Sequence, residues 1–191
     1  MKKNTLYKKG CLLFHSSHGL CRIKEINKQI QSGKEQYYYS LESREARFKR
    51  AKFIIDASQI NTSGFHLVIS REEANKILNY LKTNDLSNEN QNIQELSKEV
   101  LSLIEKNTPW AFSKVILIYS REKNGQVAKG KREMLLRAVK GLMRELSFVL
   151  NLSEREVCQK VKKNLVYRSK ANQWVLDAVL GTVQTSAMGP S

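Results

Sequence analysis

The sequence is short of acidic residues and of cysteine, and it has no long apolar runs. Only 18 Asp and Glu stand against 33 Lys and Arg in 191 residues, a formal net charge of +15. A folded chain this basic favours a polyanionic partner, nucleic acid first and anionic membrane next. No apolar run approaches the roughly 18–20 residues of a spanning helix. Met1 to Lys9 is basic and leads into Cys11-Leu12-Leu13-Phe14, but His15, Ser16 and Ser17 end that stretch well short of a signal-peptide core. Membrane is therefore not an expected partner. The three cysteines, Cys11, Cys21 and Cys158, are odd in number and widely spaced, which excludes a disulfide framework and points to a reducing cytoplasm. At 41% apolar residues the chain can bury a core.

The first part of the chain reads as β. Short segments at Cys11–Phe14, Leu20–Ile26, Gln36–Leu41, Arg47–Ile55 and Phe65–Ile69 are separated by turn residues, at Ser16-Ser17-His18-Gly19 and Gln31-Ser32-Gly33-Lys34 among others. Tyr37, Tyr38 and Tyr39 are strong strand formers. Strands this short and this close suggest a small bent sheet or partial barrel.

The pattern changes at Ser70-Arg71-Glu72-Glu73, a capping box that predicts a helix to about Lys82. Residues 83–92 are polar and Asn-rich and read as a loop. Ile93, Leu96, Val100, Leu103 and Ile104 trace a second helix, and Thr108-Pro109 opens a third, apolar nearly all round, to about Arg121. A long fourth helix spans about Lys129 to Leu150, burying Leu135, Ala138, Leu142, Leu146 and Val149. Ser153-Glu154-Arg155-Glu156 caps a fifth helix to about Asn164, and Gln173 to Leu180 reads as a short sixth. The expected class is α+β: a β domain over residues 1–66, a domain of five or six helices over 67–180, and a disordered tail over 181–191.

Charge concentrates in the helical part. Arg121 to Lys170 holds 14 Lys/Arg against 5 Asp/Glu, an excess of nine. Lys129, Lys131 and Arg132 open the long helix, and Arg137, Lys140 and Arg144 recur at helical spacing. Such side chains position a protein on phosphates without reading bases. No groove-reading motif accompanies them, so the contact is expected to be largely independent of sequence. The bland alternative is a solvated helix face.

Three patterns lead elsewhere. Gly125-Gln126-Val127-Ala128-Lys129-Gly130-Lys131-Arg132 resembles a phosphate loop, but Arg132 stands where Ser or Thr would hold magnesium, and a helix rather than a strand precedes it. It reads as a helix–helix turn. Cys11, His15, His18 and Cys21 are zinc-competent residue types, but C-x3-H-x2-H-x2-C is not a common zinc spacing. Two β-core cysteines with two turn histidines is the simpler reading. Trp110 and Trp174 read as core or docking residues. No paired-carboxylate, Ser/His/Asp or Cys/His constellation stands out, so neither reaction, cofactor nor metal is expected.

Several strings, in order, resemble the CarD/CdnL/TRCF family of RNA polymerase-binding transcription regulators, over Lys8 to about Leu165. They are Gly10 with His18-Gly19, Gly33-Lys34-Glu35-Gln36-Tyr37-Tyr38, Ile69-Ser70-Arg71-Glu72-Glu73, Gly130-Lys131-Arg132-Glu133-Met134-Leu135, and Arg144-Glu145-Leu146. The resemblance implies a Tudor-like β domain that binds the polymerase β subunit, followed by a helical domain on upstream promoter DNA. It puts the polymerase contact at Arg47, Lys49, Arg50 and Lys52, with Arg50 and Lys52 on one strand face. The sequence departs from the family at three places. Cys11 replaces an Asp, and His15-Ser16 replaces an aromatic–proline pair. Ile93 stands at the position of a Trp that props open the edge of the transcription bubble. An Ile can wedge at a base step but cannot stack as an indole does. The expectation is thus a monomeric, cytoplasmic, non-enzymatic regulator that modulates open-complex stability. The rivals are a stand-alone basic DNA-binding protein and a nucleic-acid enzyme.

Overall fold

The computed structural model describes residues 7–31, 33–44, 51–60, 62–83, 93–120, 128–167 and 171–187, without the side chains of 31, 93–95 and 182–187. The chain divides into two compact units, Met1–Val68 and Ile69–Ser191. The first is β and the second helical, so the class is α+β.

The first unit is an antiparallel sheet of β1 (Leu12–His15), β2 (Gly19–Gln31), β3 (Lys34–Ser43), β4 (Lys52–Asp56) and β5 (His66–Leu67), in the order β4-β3-β2-β1-β5. A 3-10 turn, Ala57–Gln59, follows β4. Leu13, Cys21, Ile23, Tyr39, Leu41, Ile60 and Phe65 form the core. Period-2 alternation explains most of this set, because Leu13 pairs with Cys21, and Leu41 pairs with both Ile23 and Phe53. Ile26 is three positions from Ile23, which simple alternation would put on the opposite face. A register shift between Ile23 and Glu25 absorbs the extra residue. Ile26 then pairs with Tyr39 as Ile23 pairs with Leu41, and the apolar face continues.

β2 runs five residues past the predicted Ile26. Its pairing with β3 continues to Gln31 and Lys34, through mostly polar residues and an exposed Ile30, none of which carries a core side chain. Backbone bonding holds this distal hairpin, so the hydrophobic pattern stops before the strand does. Its tight turn uses Gly33 at φ +73°. β5 is shorter than the predicted Phe65–Ile69. Phe65 is a core residue ahead of the strand, and Ile69 already belongs to the helical unit. Of the predicted strand Arg47–Ile55, the part up to Arg50 lies outside the described residues, and β4 starts at Lys52. β4 and β5 are opposite edges of the sheet, yet the Phe53 and Phe65 rings are 5.9 Å apart. The sheet therefore curls until side chains from its two ends meet, although β4 and β5 are not paired with each other.

The second unit holds α1 (Arg71–Thr83), α2 (Ile93–Lys106), α3 (Pro109–Ser120), α4 (Lys129–Leu150), α5 (Glu154–Val166) and α6 (Gln173–Ala187). Both sequence-identified capping boxes form. Glu73 N–H donates to Ser70 Oγ while Ser70 N–H donates to the Glu73 carboxylate, each at 3.1 Å. The Ser153–Glu156 pair does the same at 3.2 and 2.8 Å. Ala111 N–H donates to Thr108 Oγ1 at 3.3 Å, so Thr108 caps α3. Every residue of α3 except Trp110 and Lys114 is buried. It is the central helix that its unbroken apolar sequence implies. Asn151, at φ +55°, ends α4 in the left-handed conformation.

One expectation is corrected. The tail from Gly181 is not structureless from its start, because α6 continues to Ala187. Thr182 to Ala187 contains neither proline nor glycine, so nothing in the backbone chemistry stops the helix there. The predicted loop over 83–92 lies, beyond Thr83, outside the described residues.

Candidate nucleic-acid interface

The basic residues of α4 are presented by the packing of its other face. Leu135, Ala138, Val139, Leu142, Met143, Leu146 and Leu150 are buried in the helical core. With 3.6 residues per turn, that stripe turns positions 129, 133, 137, 140 and 144 towards the opposite side. Lys129, Arg132, Arg137 and Lys140 are exposed, while Lys131 and Arg144 are half-buried. Arg132, Arg137 and Lys140 have no carboxylate within ion-pair distance among the described residues. Lys129 approaches Glu133 only at 4.0 Å, with both side chains in solvent, a contact of little energetic weight. The second carboxylate of this helix, Glu145, is turned inward and buried. Two cations of the outward face of α4, Arg137 and Lys140, are thus left without a carboxylate partner among the described residues, while Arg132 lies in line with Leu135 and Val139 and is exposed at the start of the helix.

Two apolar side chains flank this cationic face, and the sequence reading missed both. Leu136 is 41% exposed and Phe148 46% exposed. The signal was present in their spacing. Leu136 follows Leu135 directly, and Phe148 stands two positions after Leu146, so neither falls on the i, i+3, i+4 stripe of the core. Val149, expected in the core, is half-buried against it.

The other sequence-identified residues fare differently. Ile93 is the first residue of α2, and its side chain is outside the described residues. Arg47, Lys49 and Arg50 also lie outside them. Lys52 opens β4 and is exposed. Its cross-strand neighbour is Glu42, which in turn pairs with Arg22, so this row of the sheet alternates in sign rather than being uniformly basic. Lys24 Nζ also reaches Glu42 at 3.3 Å. Ile54, two positions along from Lys52, is 75% exposed, an apolar side chain on the same strand face.

The four residues of zinc-competent type, Cys11, His15, His18 and Cys21, take separate places in the β unit. His15 and His18 lie ring to ring at 4.5 Å, in an aromatic cluster with Phe53 and Phe65. His15 Nδ1 accepts the backbone N–H groups of Ser17 and His18 at 3.1 and 3.3 Å, which fixes the turn between β1 and β2. Cys21 is a core residue opposite Leu13, and Cys11 is partly exposed. Among the described residues no three His, Cys, Asp or Glu side chains come together as a metal site. Lys131, in the phosphate-loop near-miss, lies in the first turn of α4, and Arg121 to Val127 are outside the described residues. Trp110 and Trp174 pack on the helical core, edge-on to Tyr80 at 5.6 Å and tilted on Tyr119 at 5.5 Å.

No family model matches the chain, and no curated protein matches it. Among the described residues, no helix is long and apolar enough to cross a membrane.

Proposed function

We propose that this chain is a bacterial transcription regulator with two contacts. Its Tudor-like β unit binds the β subunit of RNA polymerase through Lys52 and the neighbouring Arg47, Lys49 and Arg50. Its helical unit lies on upstream promoter DNA through Lys129, Lys131, Arg132, Arg137, Lys140 and Arg144. It acts by binding and not by catalysis. The observation that carries the reading is the solvent face of α4, where Arg137 and Lys140 stand without carboxylate partners among the described residues. Charges held in this way gain most from phosphate oxygens, through release of the counterions condensed on nucleic acid.

The two contacts reinforce each other. Tethering to polymerase raises the local concentration of the helical unit at the promoter, so modest affinity for DNA suffices. A contact that favours melted over closed promoter moves the equilibrium by that preference and no further. The reading is tested by retention of RNA polymerase on the immobilised protein. Wild type should retain it, and Arg50→Glu/Lys52→Glu should not. Failure of the wild type to retain polymerase removes the first contact from the account.

A second reading follows from where the cations lie. They sit on one helix of the second unit, so DNA contact does not require the β unit to bind anything. A stand-alone DNA-binding protein is the result if DNA is bound and polymerase is not.

A further inference from the structure

Phe148 is an exposed aromatic ring in an electrostatically unusual place. It is 46% exposed and has no aromatic partner among the described residues. It follows Arg144 by four positions and Arg137 by eleven. At 3.6 residues per turn an offset of eleven returns to within about 20° of the same line along the helix. Arg137, Arg144 and Phe148 therefore form one line on α4, with Lys140 beside it. At 1.5 Å per residue the line is about 16 Å long.

The surroundings select the kind of occupant. A helix that docks on an anionic membrane offers a continuous apolar face beneath its cations. The apolar stripe of α4 is buried in its own core, and Leu136 and Phe148, roughly 120° apart around the axis by helical geometry, flank the cations singly. An apolar protein surface would leave Arg137 and Lys140 desolvated beside it without a counter-charge. A nucleic-acid strand supplies both needs at once, phosphates for the guanidinium and ammonium groups and a π-face for the ring. In duplex DNA the base faces are already stacked on one another, so covering the ring there costs the unstacking of a base step, whereas an unpaired base offers its face without that cost.

We propose that α4 binds a locally unpaired nucleic-acid segment, with one base stacked on Phe148 and the adjoining phosphates on Arg137, Lys140 and Arg144. This rests on the reading of α4 as a DNA-binding face and deepens it. It gives the helical unit a preference for melted over closed DNA that cations alone would not supply. It also assigns the stacking role to a residue far along the sequence from Ile93.

The test is fluorescence anisotropy of the full chain with three labelled DNAs of equal length, a duplex, the same duplex with a central unpaired bubble, and a single strand, beside vesicles of anionic phospholipid. Wild type should bind bubble and single strand more tightly than duplex. Phe148→Ala should lower bubble and single-strand affinity about tenfold, as removal of one base–aromatic stack does, and leave duplex affinity within about twofold. Phe148→Trp should retain the preference. An unchanged circular dichroism melt in both variants excludes unfolding as the cause. Equal loss on all three DNAs, or no loss on any, overturns the inference while leaving the reading of α4 as a DNA-binding face in place. Wild type that binds no DNA overturns both the inference and the reading beneath it. Phe148-dependent binding to vesicles alone overturns them in favour of a membrane.

Discussion

The buried carboxyl group of Glu145, on the long helix α4, accepts a hydrogen bond from the backbone N–H of Ile69 at 3.2 Å, across 76 positions of sequence. This contact pins the first residue of the helical unit to the helix that carries the basic face.

The Glu145 contact predicts an asymmetric pair of variants. Glu145→Ala leaves the Ile69 N–H without its acceptor and should destabilise the protein by roughly 1–3 kcal/mol. Glu145→Gln keeps a carbonyl acceptor at the same reach and should lose less. Urea unfolding of the two variants checks the order. An equal loss would mean that the charge, and not the acceptor, matters at this position.

The core face of α4 predicts a larger effect. Leu142 is fully buried among the helices, so Leu142→Ala should cost about 2–5 kcal/mol. Exposed Lys140, two positions away, should tolerate Lys140→Ala with little change in melting temperature. A melt that drops equally in both variants would show that the assignment of faces is wrong.

The capping box of α5 predicts a pH effect. Hydrogen bonds from the Ser153 hydroxyl, and then from its backbone N–H, hold the Glu156 carboxyl below the usual carboxylate range. The unfolded chain therefore takes up this proton first as pH falls. The stabilisation is fully present above the ordinary carboxylate value and is lost as pH drops through the lower folded one. Glu156→Gln should be less stable than wild type at neutral pH. The gap should begin to narrow below about pH 4.5, where the carboxyl of the unfolded chain protonates, and close as pH falls through the lower folded value. A gap constant down to about pH 2 would contradict this.

The bulge in β2 predicts that one residue can be lost at one place in the strand and not two positions earlier. Deleting Lys24 removes the extra residue, leaves Ile26 opposite Tyr39 in a regular ladder, and should be mild. Deleting Arg22 should turn Ile23 off the core face, because a one-residue slip inverts the side chains that follow. Thermal melts of the two deletions discriminate, and similar melts would mean that the extra residue is not at Lys24.

The helical unit was the more legible half. Helix starts at Ser70 and Ser153 announce themselves because a hydroxyl and a carboxylate three residues apart close a local hydrogen-bonded ring. α4 is bounded as its apolar periodicity indicates, from Lys129 to Leu150. What periodicity misses is whatever packing does not drive. The distal part of the β2–β3 hairpin is held by backbone bonds between residues outside the core, and α6 outlasts the apolar stripe that revealed its start. The basic residues of the candidate site were visible as charge. The absence of a carboxylate beside Arg137 and Lys140 among the described residues was not, since it depends on which side chains the fold brings near them. Phe148 escaped notice because an aromatic residue within a buried helix is ordinarily assigned to the core. Lys52 was legible as a cation, but its alternation with Glu42 and Arg22 arises from strand pairing between distant segments.

The central claim is that the solvent face of α4 binds DNA through phosphate contacts. The most direct measurement is duplex DNA affinity as a function of salt for wild type and for Arg137→Glu/Lys140→Glu. Wild-type affinity should fall linearly with salt on logarithmic axes. The double variant should bind more weakly on every duplex sequence, with a slope reduced by about two, one for each phosphate no longer neutralised. An unchanged affinity and slope in the folded double variant would contradict the account.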